Sequence, residues 1–230
     1  MKKLGLVGGV CPESTVDYYL RICQGVRERV GRDFFPELTI ESRSCFECMG
    51  MAEAGRLDEL AEYFLGAIGI LSGAGCEVGA ICCNTGHIVF DRVAAASPIP
   101  LVSIVDATLE AAVAAGARRP LLLGTRATVE ERFFKDELIR AGMAVITPPA
   151  EEREWLYRAI KEELERGIVS DESTERFAAL VADGIEHGAD SVILGCTELP
   201  MWSSRTEIGA PVFDTLQLHI DALIRAAMGE

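Results

Sequence analysis

The chain has 230 residues, 49% of them hydrophobic and 25% charged, enough for one large domain or two small ones with real cores. Its 22 basic and 36 acidic residues leave a net charge of -14, which argues against a nucleic-acid partner and gives an anionic substrate no help from the overall field. No run of about 18 uncharged apolar residues occurs, so no membrane span is expected. After "MKKLGLV" the glycines and Glu13 come too early for a signal peptide. A cytoplasmic enzyme or binding protein is the expectation. Eight cysteines in an intracellular chain should be mostly reduced. Cys45 and Cys48 form a C-x-x-C, but no second such pair or histidine pair completes a zinc set. No metal is expected, and most of the thiols read as buried and inert.

Short apolar runs alternate with longer amphipathic ones. "KLGLVGG" reads as a strand ending in glycines, and "STVDYYLRICQGVRERV" as a helix with Ser14 as its N-cap. "ELTIES" is a second strand, and "RLDELAEYFLGAIGILSGAG" a long helix closed by glycines. "VGAICC" reads as a third strand, "NTGHIVFDRVAAAS" as a helix, "IPLVSIV" as a strand, and 106–115 as a helix. This alternation implies an α/β fold with mainly parallel sheets.

The pattern then repeats. "RRPLLLGT" resembles "KKLGLVGG", "SVILGCTEL" resembles "GAICCNTGH", and "APVFDTL" resembles "IPLVSIVDATL". Gly8 and Gly124, Cys83 and Cys196, and Pro100 and Pro211 stand at nearly constant offsets. Between the repeated strands lie a helix near 130–140 and two charged helices, "EEREWLYRAIKEELERG" and "DESTERFAALVADGIEHG". The chain therefore reads as two pseudo-symmetric α/β domains, residues 1–98 plus 211–230 and residues 99–210. An active site is expected in the cleft between them, at the carboxyl ends of the strands.

In each half one cysteine ends a central strand and precedes hydroxyl or amide side chains: Cys83-Asn84-Thr85 and Cys196-Thr197-Glu198. Unpaired N–H groups at such a strand end favour anions and are expected to lower a thiol's pKa from about 8.5. Two thiols with carboxylate-holding donors suit racemisation, where one thiolate takes a proton from a carbon and the other thiol returns one to the opposite face. Side chains alternate across a strand, so Cys82 and Cys83 should point to opposite faces. Cys82 aligns with Gly195 and is expected to be buried filler.

The chain resembles the aspartate/glutamate racemase family over essentially its whole length. "GLVGGVCPESTVDYY" is similar to the family's opening glycine loop, "CNTGH" to its first cysteine box and "LGCTEL" to its second, with "LLLGTRAT" and "PVFDTLQLH" matching as well. Glu198 after Cys196-Thr197 resembles the aspartate racemase branch. The resemblance implies a cofactor-independent, pyridoxal-free racemase of an acidic amino acid, aspartate before glutamate, acting as a homodimer on a small-molecule substrate.

It also implies Cys83 and Cys196 as the acid/base thiols, and Asn84, Thr85 and Thr197 as holders of the α-carboxylate or amino group. Glu198 would accept from the ammonium or order the turn. The Gly8–Cys11 loop, Val10 included, would touch substrate. Thr125 and Thr128 would complete the site or simply cap a helix. A glutamine that some relatives direct at the distal substrate group falls at Ala52, and a basic residue falls at Glu165. Arg43 either replaces the distal contact or pairs with Glu41 or Glu47 at the surface. His87 either tunes Cys83 or binds substrate, or it packs as a structural residue. Alternatives on the same fold are an isomerase or decarboxylase of a small diacid and a broad-spectrum amino acid racemase. A non-catalytic amino-acid-binding or thiol-sensing protein is the alternative from another class.

Overall fold

The computed structural model describes residues 1–31 and 33–230. It forms two compact units, Met1–Ala107 with Leu216–Glu230, and Thr108–Thr215. The first unit begins with β1 (Leu4–Gly8), α1 (Pro12–Val30), β2 (Leu38–Ser42), α2 (Cys45–Glu53) and α3 (Leu57–Gly73). It continues with β3 (Val78–Ile81), a 3-10 helix (Thr85–Val89), α4 (Phe90–Ala96), β4 (Leu101–Val102) and the start of α5 (Ile104–Ala114). The second unit holds β5 (Pro120–Gly124), α6 (Arg126–Glu130), α7 (Arg132–Arg140), α8 (Ala150–Glu162) and a 3-10 turn (Leu164–Arg166). α9 (Asp171–Glu186), β6 (Ser191–Gly195), α10 (Pro200–Ser203) and β7 (Val212–Asp214) follow, and α11 (Thr215–Met228) returns to the first unit.

Each unit is built on a parallel sheet, ordered β2-β1-β3-β4 in the first and β5-β6-β7 in the second. β1, β3, β5 and β6 are buried at every position, as expected of parallel strands covered on both faces. The repeat seen in the sequence corresponds to β1-β3-β4 and β5-β6-β7. The counterpart of β2 is reduced to Ile146, a single parallel bridge to Leu121.

The two units divide after Ala107 and after Thr215. β4 pairs with β3 and β7 with β6, so the chain on either side of each strand stays with its hydrogen-bonded partner. The helix expected over 84–97 begins as a tighter 3-10 segment, and the strand expected over 99–105 shrinks to two residues because α5 starts at Ile104. α1 starts earlier than expected. Cys11 occupies its N-cap, and Ser14 sits inside the first turn with its Oγ donating to the Cys11 carbonyl at 3.3 Å. α2, carrying Cys45 and Cys48, was not apparent from its short and weakly amphipathic sequence.

Two apolar layers cover the first sheet. Val7, Ile81 and Cys83 pack with Phe64, Ile68 and Leu71 of α3 on one face. Leu4, Leu6, Val78, Ala80 and Cys82 pack with Tyr18 and Ile22 of α1 and Ile220 and Leu223 of α11 on the other. In the second unit Leu121, Leu123, Val192, Leu194 and Cys196 share a cluster with Ile160 of α8, Phe177 of α9 and Trp202 of α10.

Glycines admit close contacts at the strand ends. A Cβ on Gly195 would lie 2.6 Å from the Leu123 carbonyl oxygen and 2.8 Å from Thr128 Cγ2. Gly195→Ala is therefore expected to destabilise the protein by about 1–3 kcal/mol through overpacking. Gly69, exposed within α3, has nothing within 4 Å of such a carbon. Gly69→Ala should instead stabilise by about 0.5–1 kcal/mol, since glycine weakens a helix interior. Urea unfolding of both variants checks the opposite signs.

Candidate active site

The pleat of β3 decides the fate of the cysteine doublet. The Cys82 N–H continues the ladder by donating to the Val7 carbonyl at 3.0 Å, and its side chain enters the layer beneath α1 and α11. Burial first, then the neighbouring Cys83, raises the Cys82 pKa well above its ordinary value, which keeps it an inert thiol. Cys83 emerges on the opposite face, where the chain tightens into the 3-10 helix.

There the Gly86 N–H donates to Cys83 Sγ at 3.3 Å, a bond that favours the thiolate. A Cβ on Gly86 would lie 2.8 Å from the side chains of Ile81 and Phe64 and 3.0 Å from that sulfur, so glycine is what permits the approach.

His87 is 3% exposed, and both of its ring nitrogens are engaged. Nε2 accepts from the Ile104 N–H at 3.0 Å, which requires Nδ1 to carry the proton and donate to the Cys83 carbonyl at 2.8 Å. His219 has the complementary tautomer, with Nε2 donating to the Val102 carbonyl at 3.0 Å and Nδ1 accepting from Tyr18 Oη at 2.7 Å. These partners were not legible as a set, because they lie on α1, β4, α5 and α11.

Val10 belongs to the apolar cluster that holds Cys83, and Ala52 packs against it. The Gly8–Cys11 loop is drawn onto the end of β2. Gly9 has φ 74°, a Cβ there would meet Ser42 Oγ at 2.2 Å, and the Arg43 N–H donates to the Gly8 carbonyl at 2.8 Å. Asn84 and Thr85 follow Cys83 and are buried. The Arg43 side chain turns to Glu41, 3.3 Å away, and lies over the Tyr63 ring at 5.2 Å.

In the second unit Cys196 follows the last residue of β6. β5 and β6 pair Gly124 with Gly195, which places Cys196 one step beyond that glycine, as Cys83 stands one step beyond Cys82. Cys196 Sγ donates to Glu198 Oε2 at 3.0 Å, and Thr197 Oγ1 lies 2.9 Å from both carboxylate oxygens. All three residues are buried.

The expectation that strand-end N–H groups lower the thiol's pKa does not hold at Cys196. Burial first, then the charge of Glu198 and its hydrogen bond, push that thiol well above its ordinary value, with Glu165 adding to the rise. These outweigh the lowering effect of the Glu198 N–H. Thr125 caps α6, its side chain accepting from the Thr128 N–H at 3.4 Å with the two hydroxyls 3.2 Å apart, while the Thr128 methyl packs where a Gly195 side chain would go.

The architecture is thus that of a duplicated parallel α/β protein with a buried strand-end cysteine at the equivalent point of each half. The Asp/Glu/hydantoin racemase family model matches residues 7–223, and the chain belongs to that family. An aspartate racemase homologue from Pyrococcus horikoshii is similar in structure, with TM-score 0.79 and 36% identity, covering 99% of this chain and 100% of that one. The Picrophilus torridus aspartate racemase shares the fold at TM-score 0.82 and 21% identity, over 99% of this chain and 95% of its own.

Among curated sequences, a broad-specificity amino-acid racemase of Bacillus subtilis is 23% identical over 92% of each chain. A glutamate racemase of Koribacter versatilis is 28% identical over 63% of this chain and 49% of its own, so the match spans about half of that relative.

The buried imidazoles tie stability to pH. Burial, with a contribution from His219, lowers His87 to about 3, and burial lowers His219 to about 4. The unfolded chain protonates each histidine near pH 6.5. Their stabilisation is therefore complete above that pH and is lost as pH falls toward 4 and 3, at about 1.4 kcal/mol per pH unit for each ring. His219→Gln keeps a donor for the Val102 carbonyl and removes one titrating group. Its urea-derived stability should fall less between pH 6.5 and 4.5 than that of the parent, by about 2 kcal/mol.

Proposed function

We propose that the protein racemises an acidic amino acid, aspartate first and glutamate next, by cofactor-independent proton transfer between Cys83 and Cys196. The observation that carries this reading is the opposite hydrogen-bond polarity of two equivalent thiols. Cys83 Sγ receives a backbone N–H, whereas Cys196 Sγ donates to a carboxylate. One sulfur is prepared as the base and the other as the acid.

In the forward direction the Cys83 thiolate takes the α-proton. The electron pair moves toward the substrate carboxylate, and the Cys196 thiol delivers its proton to the opposite face of the carbon. The product leaves Cys83 as thiol and Cys196 as thiolate, which is the starting state for the reverse reaction. Asn84, Thr85 and Thr197 are the donors we assign to the substrate carboxylate as charge develops on it, and buried donors act most strongly there.

A broader substrate range is the second reading. Ala52 offers no polar group, and Arg43 is engaged by Glu41 and Tyr63, so neither residue favours a dedicated distal anchor. Accordingly, Arg43→Ala is expected to change kcat/KM for aspartate by less than about threefold, below the roughly 1.4 kcal/mol that a tenfold loss represents.

The decisive experiment follows α-hydrogen exchange and optical rotation in deuterated water over a panel of chiral amino acids. Aspartate should exchange and invert without added pyridoxal or metal. Cys83→Ala and Cys196→Ala should each lower interconversion by about 10²–10⁴-fold, the usual worth of a positioned acid or base. Full racemisation by either variant would overturn the two-thiol reading.

A further inference from the structure

We propose that His87 is a positioning residue for Cys83: its neutral ring, bonded to the Cys83 carbonyl and the Ile104 N–H, holds the turn in which the Gly86 N–H meets the Cys83 sulfur. The inference rests on the two-thiol reading for its catalytic consequence, and on hydrogen bonds alone for its geometry.

His87 cannot exchange protons with substrate while both nitrogens are bound to backbone atoms. Protonating it would set an Nε2–H against the Ile104 N–H, two donors with no acceptor between them. Its partners are backbone groups on two different elements. Ile104 opens α5, and its N–H has no partner within that helix. Cys83 lies one residue beyond Cys82, whose N–H makes the last bond of the β3 ladder. The ring therefore staples the cysteine turn to the start of α5. Phe90 stacks on it at 4.8 Å and 6°, which restrains rotation.

The staple itself is braced. His219 holds the Val102 carbonyl two residues before Ile104, with Tyr18 behind it, so two imidazoles of opposite tautomer grip the β4–α5 junction. Within the turn the His87 N–H donates to the Asn84 carbonyl at 2.9 Å. This i+3 pitch is what brings the Gly86 N–H to the sulfur three residues back. The ionisable groups acting here are Cys82 and Cys83 from the end of β3 and His219 from α11, the last backed by Tyr18 of α1.

The two bonds can be separated by substitution. His87→Asn places an amide N–H where Nδ1–H stood, toward the Cys83 carbonyl. His87→Gln places a carbonyl oxygen where Nε2 stood, toward the Ile104 N–H, and leaves the Cys83 carbonyl without its donor. The pH profile of carboxamidomethylation by iodoacetamide, with the adduct located on Cys83 by peptide fragment masses, reads the sulfur directly, and Cys196 serves as the internal control. In His87→Gln the Cys83 midpoint should rise by about one pH unit, a tenfold change in thiolate fraction. The Cys196 profile should not move. On aspartate, kcat should fall about tenfold with KM within about twofold, the pattern of an interaction used in the transition state. His87→Asn, which keeps the bond to the Cys83 carbonyl and loses the one to the Ile104 N–H, should place the midpoint between those of His87→Gln and the parent.

An unshifted Cys83 midpoint in His87→Gln would overturn the proposal, whatever happens to melting temperature or turnover. Should that variant fail to fold, His87→Ser, which keeps neither bond, gives the same contrast with His87→Asn. The two-thiol reading stands or falls separately, on the Cys83→Ala and Cys196→Ala proteins. If it falls, the alkylation midpoints still decide the placement of Cys83.

Discussion

Two-residue alternation in strands buried on both faces is the constraint on which the site depends. β3 and β6 are buried at every position and have no solvent face, so every side chain belongs to one layer or the other. At the end of β3 this leaves no freedom: Cys82 lies under α1 and α11, and Cys83 lies on the side of α3. At the end of β6 the same phase puts Cys196 with α8, α9 and Trp202, while the preceding position is a glycine because Thr128 fills its space. A one-residue slip in either strand would send the wrong side chain to the turn.

The duplication preserves backbone placement and diverges in the turn that follows. After Cys83 a 3-10 segment returns an N–H to the sulfur. After Cys196 a buried carboxylate collects the S–H and the Thr197 hydroxyl. A buried carboxylate is costly without donors, and these two side chains supply them. Equivalent cysteines thereby acquire different hydrogen-bond partners from residues only two or three positions away.

The first unit adds a polar network inside its core. Tyr18, His219 and Val102 form one run of hydrogen bonds and Ile104, His87 and Cys83 a second, joined by the chain between Val102 and Ile104, and each ring nitrogen has a single consistent role. Such networks rigidify when fully satisfied. This one spans elements that the apolar layers alone would hold only by shape, and it ends on the backbone of the cysteine turn.

Most of this was legible from residues in order along the chain. The apolar runs announced the parallel strands, the internal repeat announced the duplication, and period-two alternation separated Cys82 from Cys83. Local signals were weaker where hydrogen bonds decide the outcome, as at Ser14, at the 3-10 turn, and at β4, where α5 begins early. The sequence by itself determined the fold class, the pairing of Cys83 with Cys196 as equivalents, and the family. Only the tertiary structure decided which nitrogen of His87 holds which backbone group, that Arg43 turns to Glu41 and Tyr63, and that the Glu198 carboxylate opposes the ionisation of Cys196. Those outcomes depend on distances and burial between residues remote in the chain, which periodicity and composition do not encode.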